Sequence, residues 1–363
     1  MKWATAWGMA LIGLCCAASA SAMSVVFINP GKSDEMFWGS VSRFMQAAAN
    51  DLSIDLEVLY AERDSARMVI QARQMAVRKK RPDYVVTVNE KQVAVPMLKV
   101  LDAAGIRTFL INNTLSPDQL AFAGRPREQL SHWLGSLVPN NEDAGYQMAK
   151  SLIAAGHRRF PQEGQLTLIA LAGDRVTEAG VAREAGLRRA LAEHPEVKWQ
   201  QTVYGEWNQR RARDQADVLF KRYPGTRLVW CANDLMAFGA MEALIAQGGT
   251  PGKDKLFTGL NNSSQAMEAL VDGRLSALSA GHFAAGGWAL VMLYDYDQGH
   301  DFAEVGPLER QEPMLALLTA GQAKRFLQRF GQSDFESIDF RQYSRAYHPE
   351  LKNYRFLLES FLK

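Results

Sequence analysis

The sequence has 363 residues, of which 47% are hydrophobic and 22% are charged, and its formal net charge is +2. This length exceeds what one ordinary core holds and favours two domains, while the composition excludes a disordered chain. The small net charge excludes a whole-chain basic surface, so nucleic acid is not an expected partner.

The first 22 residues have the pattern of a signal peptide. Lys2 supplies the positive charge, residues 4–18 are uncharged and mostly apolar, and Ala20-Ser21-Ala22 offers small residues for cleavage. The apolar run is short for a membrane-spanning helix. We therefore expect an exported, periplasmic protein that is cleaved near Ala22-Met23.

The cysteines fit an exported protein without disulfides. Cys15 and Cys16 lie in the leader, where a lipoprotein is the alternative, although neither follows the small residue that such sites favour. Cleavage leaves Cys231 alone, so no internal disulfide can form. Because Cys231 ends an apolar run, we expect a buried, inert thiol.

Strands and helices are predicted to alternate along the rest of the chain, because short apolar runs precede segments with one apolar helical face. In the first half, strands are predicted over residues 24–29, 56–60, 84–88 and 108–111, with helices over 36–52, from Ser65 onward and over 93–104. Ser65 can cap the second of these helices. In the second half, helices are predicted from about 140 to 156, over 181–193, 211–222 and 235–247, up to Gly273 and over 283–294, with strands over 166–171, 201–204, 228–231, 256–260 and 275–280. This rhythm predicts parallel sheets covered by helices on both faces.

The predicted fold class is α/β, with two Rossmann-like lobes joined by a multi-strand hinge. We assign residues 23–137 and 283–308 to the N-terminal lobe, and residues 138–282 and 309–363 to the C-terminal lobe. The segment 124–140 contains Gly135 and Pro139 and fits a crossing between the lobes.

Aromatic candidates for a binding site follow the strands, and ligands of open parallel sheets bind beyond the carboxyl ends of the strands. Phe37 and Trp38 follow the first strand and can lay ring faces on an apolar side of a ligand, or pack in the core instead. Trp207 follows the strand over 201–204 and can close the site from the other lobe. His282, at the last hinge crossing, is either a structural histidine or a ligand contact.

Four asparagines are candidate polar contacts at the same strand ends. Asn112 and Asn113 end one strand, and each amide offers an acceptor and two donors that suit hydroxyl groups; the pair could equally serve a turn. Asn233 follows a second strand and is favoured over Asp234, which could cap the next helix. Asn261 ends a third strand and completes the set.

Enzyme motifs are absent from the sequence. It has no Gly-x-Ser-x-Gly, no phosphate-binding Gly-x-x-x-x-Gly-Lys-Ser/Thr and no Gly-x-Gly-x-x-Gly after the first strand. The six histidines and the cysteines lack metal-ligand spacing. We therefore expect no catalysis, no metal and no cofactor, while an exported α/β enzyme remains the alternative class. The basic run Arg78–Arg81 fits a solvated helix end better than a nucleic-acid site.

An ordered series of short segments resembles the type I periplasmic binding proteins, the ribose- and galactose-binding group that also includes autoinducer receptors. The segments are Met36-Phe37-Trp38, Gly105-Ile106 before strand 108–111, Arg183-Glu184-Ala185-Gly186-Leu187, Asn233–Ala240 and Thr258-Gly259-Leu260-Asn261. The resemblance implies a receptor that closes two lobes around a small polar ligand: a sugar, a polyol or an autoinducer-like molecule. It also implies a membrane permease as partner, with the periplasmic domain of a sensor kinase as the alternative.

The chain departs from this family's pattern at its charged positions. Asn261 stands where sugar binders often have Asp, and Asn112-Asn113 stands where they often have an Asp-Arg pair. Val181 stands where a ligand-clamping Arg is usual, two residues before Arg183. The departures predict a neutral ligand and put a simple hexose or pentose in doubt.

The segment over residues 310–363 extends beyond the family's usual end and is rich in aromatic residues with interspersed arginines. Such a composition is typical of protein interfaces, which would favour docking on a sensor. The rings could instead pack over the base of the second lobe, and we expect this for most of them.

Overall fold

The computed structural model describes residues 22–362 and confirms the α/β class with two lobes. All but the last residue of the predicted signal peptide lies outside the described residues. The strands are β1 (Ser24–Asn29), β2 (Asp55–Tyr60), β3 (Tyr84–Thr87), β4 (Arg107–Ile111), β5 (Trp133–Pro139), β6 (Thr167–Ala172), β7 (Lys198–Tyr204), β8 (Leu228–Cys231), β9 (Leu256–Leu260), β10 (Ala277–Ala280), β11 (Glu309–Glu312) and β12 (Ala316–Leu317).

Each lobe is built on a six-stranded sheet. The first sheet has the order β11-β5-β4-β3-β1-β2, and all its neighbours are parallel. The second has the order β12-β10-β9-β8-β6-β7, in which only β12 runs antiparallel to its neighbour. The central strands are buried apart from the first residue of β1, β4 and β6, as sheets covered on both faces require.

The helices lie on both faces of these sheets and bury one apolar side. They are α1 (Met36–Asp51), α2 (Ser65–Ala76), α3 (Ala94–Ala103), α4 (Pro117–Ala123), α5 (Asn141–Arg159), α6 (Glu178–Ala192), α7 (Gln209–Arg222), α8 (Asp234–Ala246), α9 (Ser264–Val271), α10 (Ala285–Asp297) and α11 (Ala320–Phe330). None of these helices, nor any other in the part of the chain described, is long and apolar enough to cross a membrane.

Two local predictions differ from the structure. Ser65 was expected to cap α2. The cap is instead Asp64, one position earlier, whose carboxylate accepts hydrogen bonds from the backbone N–H groups of Ala66 and Arg67. The predicted crossing over residues 124–140 contains β5, which extends the first sheet before the chain leaves the lobe.

Three crossings join the lobes at the hinge. The chain passes from β5 to α5, from β10 to a short 3₁₀ helix at His282–Ala284, and from β11 to β12. The crossings touch: the Asn140 N–H donates to the Glu312 carbonyl (3.1 Å). Gly281 has a φ of 135° and packs so closely on Met314 that a Cβ would overlap its carbonyl oxygen. His282 therefore lies on the second crossing, not the last.

The C-terminal segment packs on both lobes. Residues 309–312 pair with β5 in the first sheet, which differs from the predicted assignment of 309–363 to the second lobe. α11 then packs on α9 of the second lobe. Phe335 and Phe340 return to the first lobe, where each ring centroid lies 5.1 Å from that of Phe44 on α1. The chain thus makes a fourth crossing between residues 331 and 335.

A candidate ligand-binding cleft between the lobes

A small cavity of about 70 Å³ lies between the lobes at the carboxyl ends of their strands. This position is where open parallel sheets bind ligands. All eight residues predicted from the sequence line the cavity: Phe37, Trp38, Asn112, Asn113, Trp207, Asn233, Asn261 and His282. Both lobes and the hinge therefore contribute to one cavity.

The first lobe supplies an aromatic wall at the start of α1. Phe37 stacks on His282 with centroids 4.4 Å apart and meets Trp38 edge to face at 5.0 Å. Asn29, at the end of β1, donates to the Trp38 carbonyl (3.1 Å) and to the Ser42 hydroxyl (2.9 Å), which fixes the first turn of the helix. The rings are therefore held in place by the strand that precedes them.

Asn112 presents an amide without a protein partner. Its side chain is only 5% exposed, yet neither Oδ1 nor Nδ2 has a hydrogen-bond partner within the protein. Its φ of 61° lies in the left-handed region, which asparagine tolerates better than most residues. A buried amide left unpaired is costly, so this group marks a position where a ligand would supply the partner.

Two hydrogen bonds join the lobes beside the cavity. Asn113 Oδ1 accepts from the Ala179 N–H at the start of α6 (3.0 Å), so one of the predicted contacts holds the lobes together. Asn262 Nδ2 donates to the Ser40 hydroxyl on α1 (2.7 Å), and both residues are buried. These contacts show that the lobes are closed.

The second lobe places two amides at the start of α8. Asn233 Oδ1 caps α8 by accepting from the Met236 N–H (3.0 Å), which leaves its Nδ2 as the atom that can serve a ligand. Asp234 begins the helix and accepts from Asn261 Nδ2 and from the Ser263 hydroxyl, each at 2.6 Å. Asp234, which was expected to cap the helix, therefore orients Asn261. Asn233, which was expected to bind the ligand, also caps the helix.

Arg183 is a buried cation in the cavity wall that sequence reasoning missed as a site residue. Its guanidinium donates to Asn141 Oδ1 (2.9 Å) and to the Ala232 carbonyl (3.1 Å). Burial lowers its pKa to about 10, so it remains charged at neutral pH. The departure at Val181 thus does not remove arginine from the site, because Arg183, two residues later, lies on the opposite, buried face of α6 and lines the cavity, while Val181 is exposed.

Trp207 forms the second-lobe wall opposite the first-lobe rings. Its indole Nε1–H donates to Asp174 Oδ2 (2.7 Å). Trp207 has a φ of 59° and packs against Gly173, where a Cβ would overlap the ring. The Arg183 guanidinium lies 5.6 Å from the ring centroid.

An ion-pair cluster forms the mouth of the cavity in the first lobe. Arg63 Nε donates to Glu35 (2.8 Å) and Nη1 lies 3.6 Å from Glu90. Burial raises the pKa of Glu90. Beyond this cluster, and past Trp207, the space opens into a wider outer cleft of about 960 Å³.

His282 is neutral. Burial, and then the positive charge of Arg183, lowers its pKa well below the ordinary range. Nδ1 is buried without a protein partner. A neutral imidazole on the floor of the cavity can offer a donor or an acceptor, according to its tautomer.

The cavity residues that sequence reasoning missed were partly detectable. They are Glu35, Arg63, Glu90, Pro139, Asn141, Thr177, Ala179, Arg183 and Leu235. Arg63 and Glu90 follow β2 and β3 by three residues, so a stricter use of the strand-end rule would have found both. Thr177 and Arg183 have no such signal, because their approach depends on how α6 sits against the other lobe.

Two α/β lobes that close over a polar cavity at their strand ends define a binding protein that traps its ligand between domains. Residues 25–300 match the family model described as a periplasmic binding protein domain, and the chain belongs to this family.

Relatives agree with this assignment. A periplasmic sugar-binding protein from Pseudomonas fluorescens is 46% identical, with a TM-score of 0.86 over 94% of this chain and 100% of its own. The D-allose-binding periplasmic protein of Escherichia coli is 28% identical over 133 residues, a match that spans 36% of this chain and 41% of that protein. An Actinobacillus succinogenes solute-binding protein with bound D-allose shares the fold at 19% identity, with a TM-score of 0.71 over 84% of this chain and 99% of its own.

Proposed function

We propose that the protein is a periplasmic receptor that closes over one neutral sugar and presents it to a membrane permease. The observation that carries the proposal is the unpaired, buried amide of Asn112 in a cavity shared by both lobes. Sugar hydroxyls both donate and accept, which matches an amide with both atoms free. The aromatic walls suit the apolar face of a sugar ring.

The relatives support this class of ligand. The sugar-binding relative at 46% identity and the relatives named for D-allose point to a monosaccharide. We infer that the departures from Asp and Arg at Asn261 and Asn112-Asn113 change which sugar is bound, since Arg183 and the amides still provide polar contacts from both lobes.

The test is thermal unfolding of the purified protein with D-allose, D-galactose, L-arabinose, D-tagatose and D-fucose, each at millimolar concentration. A sugar that binds only the folded state raises Tm by mass action. The proposal predicts a saturable rise for at least one sugar. A sugar receptor is excluded if no sugar raises Tm and mass spectrometry detects no sugar released when the purified protein is denatured.

Catalysis is not part of the proposed function. We infer that a bound sugar leaves chemically unchanged, since the cavity offers amides, Arg183 and a neutral histidine, and its two carboxylates, Glu35 and Glu90, are ion-paired with Arg63. Chromatography of the sugar after prolonged incubation tests this point: appearance of product would replace the receptor with an exported enzyme.

The output of the receptor has two candidates, transport and signalling. The aromatic segment that favoured a sensor kinase buries Phe326, Phe330, Phe335 and Phe340 within the fold. We therefore favour a permease, and cross-linking of sugar-loaded protein to membrane extracts separates the two. Capture of a sensor domain rather than permease subunits would reverse this preference.

A further inference from the structure

Asp174 lies beside the Trp207 ring; it is not among the residues that line the cavity, but it lines the outer cleft beyond Trp207. Its carboxylate is 8% exposed and accepts four hydrogen bonds. Oδ1 accepts from the N–H groups of Val176 (2.8 Å) and Thr177 (2.6 Å). Oδ2 accepts from the Thr177 hydroxyl (2.6 Å) and from the Trp207 indole (2.7 Å).

These four bonds keep the carboxylate charged. Burial alone would raise the pKa of Asp174, but the bonds from Thr177, Val176 and Trp207 together lower it below the ordinary value. Hydrogen bonds to a charged acceptor are stronger than bonds between neutral groups. The indole is therefore tied to a fixed anion.

Trp207 needs such a tie, because its backbone is unfavourable. Glu206 and Trp207 have φ values of 50° and 59°, a left-handed pair that costs non-glycine residues energy. The ring fits against Gly173, and a Cβ on Gly180 would lie 2.6 Å from the Asp174 carbonyl oxygen. The N–H is used by Asp174, so only the ring surface remains available to a ligand.

The same carboxylate sets the start of α6. Thr177 is the N-cap residue of this helix, yet its hydroxyl bonds to Asp174 and makes no cap bond. Two residues later, the Ala179 N–H donates to Asn113 of the first lobe. Arg183, one turn further on, lines the cavity.

We propose that Asp174 is a positioning residue that holds the Trp207 ring as the second-lobe wall and fixes the first turn of α6 for lobe closure. The proposal rests on the proposed function and goes one step further: specificity for the ligand's apolar face is set by a residue that does not touch the ligand. If the Trp207 ring could rotate freely, the protein would bind its ligand more weakly even with every residue of the cavity lining unchanged.

The test compares Asp174→Asn with Trp207→Phe and with the double variant, using the sugar from the thermal panel that binds wild type most tightly. Each single variant should weaken binding by about ten- to a hundredfold, the range for losing a hydrogen bond to a charged group. In the Trp207→Phe background, Asp174→Asn should cost at most about threefold more, which is the part that comes from the first turn of α6, because the effects of contacting residues do not add. Full additivity, or a Trp207→Phe variant that binds as wild type, would overturn the proposal.

Asp295→Asn is the matched control. Asp295 is a fully buried carboxylate that also accepts four bonds, from Ser344, Arg345, Ala346 and Tyr354, far from the cleft. This variant should lower Tm and leave sugar affinity unchanged, which separates positioning from general stability.

A ligand-free measurement keeps the two proposals distinguishable. In ¹⁵N-labelled protein, the indole signal of Trp207 is identified by its absence in Trp207→Phe. The signal should shift and exchange faster with water in Asp174→Asn, but not in Asp295→Asn. If wild type binds no sugar, the sugar function fails while this signal still decides the positioning role; an unchanged signal in Asp174→Asn rules that role out.

Discussion

At the scale of single residues, the cavity combines side chains that are bonded within the protein with an amide that is not. The Asn112 amide is buried without a protein partner. The side-chain oxygen of Asn113, the next residue, accepts a hydrogen bond from the Ala179 N–H of the other lobe. Two adjacent side chains of the same type are thus bonded differently, because the backbone points them in different directions.

Asn112→Gly tests the first of these roles. Glycine adopts a φ of 61° freely, so the change removes the amide without adding backbone strain. We expect the ligand-free Tm to stay within about 3 °C of wild type and the sugar-induced rise in Tm to disappear. Ser53→Gly, at an exposed left-handed position with a φ of 54°, should change neither quantity. A sugar-induced rise preserved in Asn112→Gly would show that this amide is not a contact.

His282 gives a pH prediction whose sign follows from its lowered pKa. The unfolded chain takes up a proton below about pH 6.5 while the folded protein does not, so stability falls as pH falls through that value. The loss from this group reaches at most about 2 kcal/mol at pH 5. Urea unfolding at pH 8 and pH 5 should show a smaller decline for His282→Gln than for wild type. Equal declines would mean that His282 titrates normally in the folded state.

At the scale of elements, residues at helix starts both begin a helix and line the cavity. This follows because each strand end that carries a candidate ligand contact is also where the next helix begins. Asn233 caps α8 through Oδ1 and lines the cavity with the rest of its amide. The first turn of α1 likewise carries Phe37 and Trp38. Stability and binding are therefore coupled at these positions.

Asn233→Ala should show both losses. Removing a helix cap costs about 1 kcal/mol, and the lost amide should weaken sugar binding by about tenfold or more. Thr319→Ala removes a similar cap from α11, where the hydroxyl accepts from the Gln322 N–H (3.2 Å) away from the cleft. Calorimetry should find a comparable fall in Tm for both variants but weaker binding only for Asn233→Ala. Weaker binding in both would mean that affinity follows overall stability.

At the scale of the whole molecule, the C-terminal segment belongs to the architecture. Phe356 stacks on Trp288 of α10 with centroids 4.9 Å apart, and Phe335 stacks on Phe283 at the second hinge crossing at 5.3 Å. Asp295, on the same helix, anchors the segment through its four accepted bonds. The part of the segment after α11 thus completes the core of the first lobe rather than forming a free surface.

Truncation after Gly331 should abolish folding. It removes Phe335, Phe340 and Phe356, and losing a buried aromatic ring costs about 3–5 kcal/mol each, which together rivals the stability of a typical domain. Tyr347→Ala, at a side chain that is 47% exposed, should change Tm little. Circular dichroism melting checks both. A truncated protein that melts cooperatively near the wild-type Tm would contradict the structural role of this segment.

The sequence by itself determined the strand and helix order and put the predicted contacts at the strand ends, where the cavity lies. Strands 228–231 and 256–260 were predicted with the bounds observed, because buried parallel strands read as apolar runs. The eight predicted residues meet in one cavity because parallel strands bring their carboxyl ends to one edge. Both inferences rest on local periodicity and on topology rules that hold for any chain of this class.

Only the tertiary structure decided what depends on contacts between distant segments. Arg183 and Thr177 reach the cavity because α6 docks against the first lobe, and no spacing within α6 reveals that docking. Asp174 became visible as a support only once Trp207, 33 residues later, was seen to bond to it. The path of the C-terminal segment was equally hidden, since its apolar rings could have covered either lobe. Hydrophobicity determines that an aromatic ring is buried, but the fit between distant parts of the fold determines which lobe buries it.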